Sequence, residues 1–235
     1  MRTKIMKTLP KLNSISYIAK LPSTGEEIEF RPFVHKEEKA LATVNESSNE
    51  KDKLLTLRNV IRSCTFDKVD VDNLQMVDFE FLFLKIRSKS VGEISEIQTK
   101  CESCEANVPI QVDIDQMTLN GNFEKKMIVP LDDTYSVKLR YPKFIDIVNS
   151  SKYKDELTVA IAAAVESIFT EEEVYEIDEA SPKEVEEFVN SLVQRQYVAI
   201  LDELKDATYV GLITTYTCKN GHTHEMEVKG LENFF

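Results

Sequence analysis

The chain has 235 residues, 42% hydrophobic and 30% charged, the proportions of a globular protein able to bury a real core in one large domain or two small ones. Its 41 acidic residues outweigh 29 basic ones, and lysines are interleaved with glutamates, so no basic face is offered to nucleic-acid phosphates. No apolar run reaches the length of a membrane span, and the start Met1-Arg-Thr-Lys-Ile-Met-Lys7 lacks the apolar stretch of a signal peptide, which points to folding in the cytoplasm.

Residues 14–33 read as a β-hairpin. Ile15, Tyr17 and Ala19 alternate on the way in, Pro22-Ser-Thr-Gly25 supplies the turn, and Ile28 and Phe30 alternate on the way out until Pro32 ends the strand. From Lys36 a helix is expected, with Glu37 and Glu38 in its first turn, where the helix dipole favours them, and Ala40, Leu41 and Val44 inward. After a polar break at 45–49, a second helix carries Leu54, Leu57, Val60, Ile61 and Cys64 at spacings of three and four. The segment 78–86 is the most apolar of the chain, and Leu74, Val77, Phe81 and Leu84 suit a third helix. A hairpin follows at about 91–114, where Val108, Ile110, Val112 and Ile114 alternate with Pro109, Gln111 and Asp113.

A strand pair is expected near 125–130 and 135–141, joined by the turn Asp132-Asp-Thr134. Helices are then predicted at 143–150, 153–168 and 171–177, with Thr170 and Glu173 as a capping box for the last. Ser181 with Glu184 forms a second capping box, Pro182 takes the first helical position, and the helix they open carries Val185, Phe188, Val189, Leu192 and Val193 on one face. A final helix at 195–206 leads into strands around 212–217 and 225–228. The acidic run 171–187 reads first as a solvated helix face, and second as a docking surface for a basic partner.

Two ligand-type clusters interrupt the predicted hairpins: Cys101-Glu-Ser-Cys104 and Cys218-Lys-Asn-Gly-His222-Thr-His224. Each lies between strands, which is the pattern of a split zinc ribbon, where two hairpin tips each present two ligands to one tetrahedral ion. The expected set is Cys101, Cys104, Cys218 and one histidine. His222 stands ahead of His224, because Gly221 can take the positive φ that folds the ligand back towards Cys218. The bland alternative is a ribbon that keeps its hairpins without a metal. A bound zinc would be structural, since four protein ligands leave no open position for an activated water. Cys64, near the end of a helix, reads as an ordinary buried thiol.

The fold class expected is α+β. It comprises β-hairpins including the split zinc-ribbon-like module, N-terminal helices, and a helical insertion between the two knuckles. Residues 1–115 plus 207–235 form the expected core, and 116–206 the inserted strand pair and helical region. No nucleophile elbow, P-loop or dinucleotide fingerprint is present, and His35 reads as a surface or capping residue, so no enzyme is expected. The turn 22–25 and the terminal Phe234-Phe235 are the remaining candidate binding elements.

The stretch Leu21-Pro-Ser-Thr-Gly-Glu-Glu-Ile-Glu-Phe-Arg-Pro-Phe-Val-His-Lys-Glu-Glu-Lys-Ala-Leu41, then Leu82-Phe-Leu-Lys-Ile-Arg-Ser-Lys-Ser-Val-Gly-Glu93 and the Cys-x-x-Cys hairpin, resembles the baseplate hub proteins of T4-like tailed bacteriophages. The similarity is best over about 15–115 and resumes at the second knuckle; the second knuckle offers Cys218 and His222 rather than two cysteines. The resemblance implies a non-catalytic role in assembling the hub of a contractile tail, through contacts with other hub proteins, in the cytoplasm of the infected bacterium. It leaves open whether members stay in the finished particle's baseplate. Neither nucleic acid nor membrane is an expected partner, and the sequence specifies no stoichiometry. Two rivals come from other classes: a zinc-ribbon factor bound to nucleic acid, and a thiol oxidoreductase using Cys101 and Cys104.

Overall fold

A computed structural model describes residues 12, 14–45, 49–121, 127–150, 152–153, 155–205 and 208–231. The side chain of Val44, the polar break at 46–48, the start of the strand placed at 125 and the pair Phe234-Phe235 lie outside the described residues.

The chain folds as α+β. The first hairpin joins β1 (Tyr17–Lys20) to β2 (Glu27–Phe30), with Tyr17 opposite Phe30. Its turn is engaged internally: the backbone N–H and hydroxyl of Ser23 both donate to the carboxylate of Asp78, which is buried at the start of the helix Met76–Val91. Two helices follow, α1 (His35–Asn45) and α2 (Glu50–Cys64), the second capped by Asn49. They are joined to the hairpin by a buried carboxylate, since Glu37 accepts from Arg31 (3.0 Å), Ser63 Oγ (2.7 Å) and the N–H of Val34 (3.0 Å).

α3 (Met76–Val91) is the pillar of the first core. Phe79, Leu82, Phe83, Leu84 and Ile86 are all buried and point in several directions around the axis. A helix with apolar residues on opposite faces must be covered on both. The first hairpin, α2, the strands Ile94–Lys100 and Asn107–Asp113 and the strand Tyr209–Thr217 supply that cover in one apolar cluster, with Phe144 stacked on Phe79 at 4.7 Å. The stripe Leu74, Val77, Phe81, Leu84 therefore describes one side of an element buried on most sides, and Leu74 precedes it.

β3 (Ile94–Lys100) and β4 (Asn107–Asp113) form a two-stranded ribbon; β10 (Tyr209–Thr217) pairs with β11 (Thr223–Lys229) and, at its start, with β5 (Thr118–Asn120). The sequence gives no warning of β5, which has three residues and no alternation to detect.

Between these ribbons lies a second apolar core, built on a four-stranded antiparallel sheet in the order β6 (Met127–Pro130), β7 (Ser136–Leu139), β8 (Val165–Phe169), β9 (Val174–Glu176). α4 (Phe144–Ser150), α5 (Glu156–Ala164), α6 (Pro182–Ser191) and α7 (Gln194–Lys205) accompany it. Two expectations fail here. The helix placed at 153–168 stops at Ala164, and Val165-Glu-Ser-Ile-Phe169 becomes β8, with Val165 opposite Leu139. The helix placed at 171–177 is absent: Thr170 Oγ accepts from the N–H groups of Glu172 (3.2 Å) and Glu173 (3.0 Å), and the Thr170 N–H donates to the Glu173 carbonyl (2.8 Å). The same side-chain bond that caps a helix closes a hairpin turn, because a neighbouring strand offers the backbone a better ladder. The capping box at Ser181 and Glu184 is present and opens α6, although Val193 lies beyond its end and is 53% exposed rather than inward.

Candidate metal centre

Both predicted clusters sit at hairpin tips. In the first knuckle the Cys101 N–H donates to the Ala106 carbonyl (2.9 Å) and the Glu105 N–H to the Cys101 carbonyl (2.7 Å), with Glu105 at φ +55°. In the second the Cys218 N–H donates to the His222 carbonyl and the Gly221 N–H to the Cys218 carbonyl, both at 2.9 Å, with Gly221 at φ +84°. The second loop closes one residue sooner. Its ligand therefore stands at the closing pair, where a longer imidazole spans the gap that Cys104 covers from within the first loop.

The two tips face each other. Ligand atoms of Cys101, Cys104, Cys218 and His222 all lie within 4.8 Å of one another. Cys104 Sγ is 3.8 Å from Cys218 Sγ, and His222 Nδ1 is 3.6 Å from Cys218 Sγ and 3.8 Å from Cys101 Sγ. A tetrahedral zinc with Zn–S of about 2.3 Å and Zn–N of about 2.0–2.1 Å has S–S edges of about 3.8 Å and S–N edges of about 3.6 Å. The residues present thus fit that ion in donor type, and three of the six edges match its spacing.

The electrostatics favour thiolate at Cys104 and Cys218. Cys104 is lowered to about 6 by the Ala106 backbone N–H, by the Asn220 side-chain amide, which donates to its sulfur at 3.2 Å, and by His222. At Cys218 burial opposes ionisation, yet backbone N–H groups of His222 and Asn220 outweigh it and the thiol is lowered. Burial pushes the Cys101 thiol up. Cys104 and Cys218 together hold the His222 imidazole above its ordinary value.

His224 stands to one side. Its Nε2 is 3.6 Å from Cys101 Sγ and 3.1 Å from Ser103 Oγ, its Nδ1 is 3.7 Å from the Glu102 carboxylate, and its ring lies against Tyr216. The sequence offers no way to see that Asn220 donates to Cys104, because Asn before Gly reads as ordinary turn chemistry. Cys64 is apart from the cluster, fully buried, and its thiol is pushed up to about 12 by that burial. His35 is exposed beside Glu38 at the start of α1.

The comparison with known families decides the kinship. The family described as T4 bacteriophage base plate protein matches residues 13–235, a span that takes in both knuckles and the helical region between them. The chain belongs to this family. No curated protein and no solved structure matches it. Family membership extends the likeness through about 142–206, where no motif carried it in the sequence. No helix among the described residues is long and apolar enough to cross a membrane.

Proposed function

We propose that this member of the baseplate family is a non-enzymatic component of the baseplate hub. It assembles in the cytoplasm of the infected bacterium through contacts with other hub proteins. The match over 13–235 carries this reading. A net charge of −12 supports protein rather than nucleic acid as the partner. The test compares proteins that co-purify with the chain from infected cells with the contents of finished particles. Recovery with hub proteins supports the role, and recovery with tail-tube or head proteins alone overturns it. Presence in the particle marks a permanent component, and absence a transient assembly factor.

Cys101, Cys104, Cys218 and His222 form, on this proposal, a structural zinc site that makes the two hairpins one split ribbon. The edge lengths of 3.6–3.8 Å support it, and His222 rather than His224 is the fourth ligand because its Nδ1 reaches two of the sulfurs. Binding free energy at such a site is folding free energy. Elemental analysis of the purified chain is expected to give one zinc, with a melting temperature that drops on chelation. A metal-free protein whose melting ignores chelator overturns the assignment. The Cys104 thiol lowered to about 6 favours a second reading, thiol exchange. Thiol titration separates the two, since a redox pair reacts equally with and without chelator, whereas zinc ligands react only once the metal is removed.

A further inference from the structure

The four-stranded sheet is less covered towards its β9 edge. Val129, Val137, Ile168 and Tyr175 stand opposite one another on successive strands, so their side chains share one face. Along this row Val129 and Val137 are buried, Ile168 is half-buried, and Tyr175 on the edge strand β9 is 47% exposed. The cover runs out where α6 ends. A groove of about 340 Å³ remains, walled by Leu131 and Tyr135, by Ile168 and Tyr175, and by Phe188 and Leu192. Its shape is fixed by Gln196, whose amide donates to the Leu131 carbonyl (3.0 Å) while its oxygen accepts from the Val193 N–H (2.8 Å).

Charge is distributed unevenly around this groove. Pro130 pairs with Ser136, Ser136 with Phe169 and Phe169 with Val174, which brings the β6–β7 and β8–β9 turns to the same end of the sheet. Those turns carry Asp132 and Asp133, and Glu171, Glu172 and Glu173. Arg195 lies near Asp132 and helps to hold that carboxyl below its ordinary value, after the Tyr135 and Thr134 N–H groups. An apolar slot with five carboxylates at one end and an open strand edge beside it suits an extended chain carrying the opposite charge.

We propose that this groove receives an extended segment of another baseplate protein, in which an aliphatic or aromatic side chain is flanked by lysine or arginine. The baseplate reading supplies only the expectation that the partner is a protein; the geometry and charge supply its chemistry. A second copy of this chain fits poorly, since it would bring the same acidic turns and a net charge of −12 to an acidic rim.

The test uses the full chain, isotopically labelled, and two synthetic probe peptides. Both have a Phe-Leu centre; one is flanked by lysines and the other by glutamates. The lysine peptide is expected to shift amide resonances of 170–176 and 188–196. It should bind at least about tenfold more weakly, or 1.4 kcal/mol, when Glu171→Lys, Glu172→Lys and Glu173→Lys are combined, and likewise in Tyr175→Ser. Both sets of changes lie at exposed positions, so unchanged melting accompanies the loss. Equal binding of the two peptides, binding of neither, or shifts confined to other surfaces overturns the proposal. So does a homodimer in sedimentation that the same substitutions dissociate. These measurements need only purified protein, so their failure leaves the hub assignment to be judged on particle content.

Discussion

At the scale of single residues, the two histidines of the second knuckle have different chemistry to do. His222 reaches the sulfurs of Cys101 and Cys218, whereas His224 approaches Cys101 while Glu102 stands at its other nitrogen. A carboxylate behind an imidazole that itself contacts a ligand is an outer-shell arrangement, and losing such a group costs about 10–100-fold in metal affinity. His224→Ala is therefore expected to weaken zinc binding by that order, while the cobalt-substituted protein keeps the absorption of three sulfurs and one nitrogen. His222→Ala should change that spectrum. If the two variants exchange these outcomes, the ligand assignment is wrong. Gly221 makes a second, separable prediction. A Cβ there meets nothing within 4 Å, so Gly221→Ala involves no clash, only the cost of a left-handed backbone at φ +84°. That is about 1–2 kcal/mol, visible as a lower melting temperature with the zinc stoichiometry retained.

At the scale of elements, Ser181 tests how far a local signal carries. Its side chain accepts from Glu184 N–H and its own N–H donates to the Glu184 carboxylate at 2.8 Å. Ser181→Ala should destabilise α6 by about 1 kcal/mol, measured by chemical denaturation. This capping box was legible in the sequence, as were the first hairpin, α2 and the two knuckle turns, because each is written in one short stretch of chain. The misread segments share a different property. Ala160 to Ala164 are strong helix formers that run straight into Val165-Glu-Ser-Ile-Phe169, and the switch to β8 is dictated by β7 lying alongside, which no local pattern records. Thr170 with Glu173 carries the same short-range chemistry as Ser181 with Glu184, yet one closes a turn and the other opens a helix. The groove beside Tyr175 was out of reach for the same reason, since it depends on which strands neighbour one another.

At the scale of the whole molecule, two apolar cores divide the load: one around α3 and the ribbons, the other around the β6–β9 sheet. Under the proposed ligand set, removing zinc should therefore accelerate amide exchange in β3–β4 and β10–β11 while the four-stranded sheet keeps its protection, and a uniform loss would contradict this division. Acid should act first on the α3 core. Glu37 is a buried carboxylate, and burial alone would raise it. Bonds from Arg31, Ser63 and the Val34 N–H prevail and lower it from an ordinary value of 4.5 to about 2; Asp115, held by Lys89 and Ser88, also falls to about 2. The folded state resists protonation where the unfolded chain accepts it, so this stability is complete above about pH 4.5 and is lost as pH falls towards 2. Glu37→Gln should flatten that part of the acid unfolding profile. The spacing of the ligands along the chain has a further consequence in time. Cys104 and Cys218 are 114 residues apart, and at roughly 5–20 residues per second of synthesis the second tip follows the first by about 6–23 s. During that interval a nascent chain holds an unfinished pair of thiols. Under the proposed ligand set the metal site closes only on molecules translated through His222, which would make zinc a proofreader of completeness: chains terminated before that point lack the clasp and stay open to proteolysis.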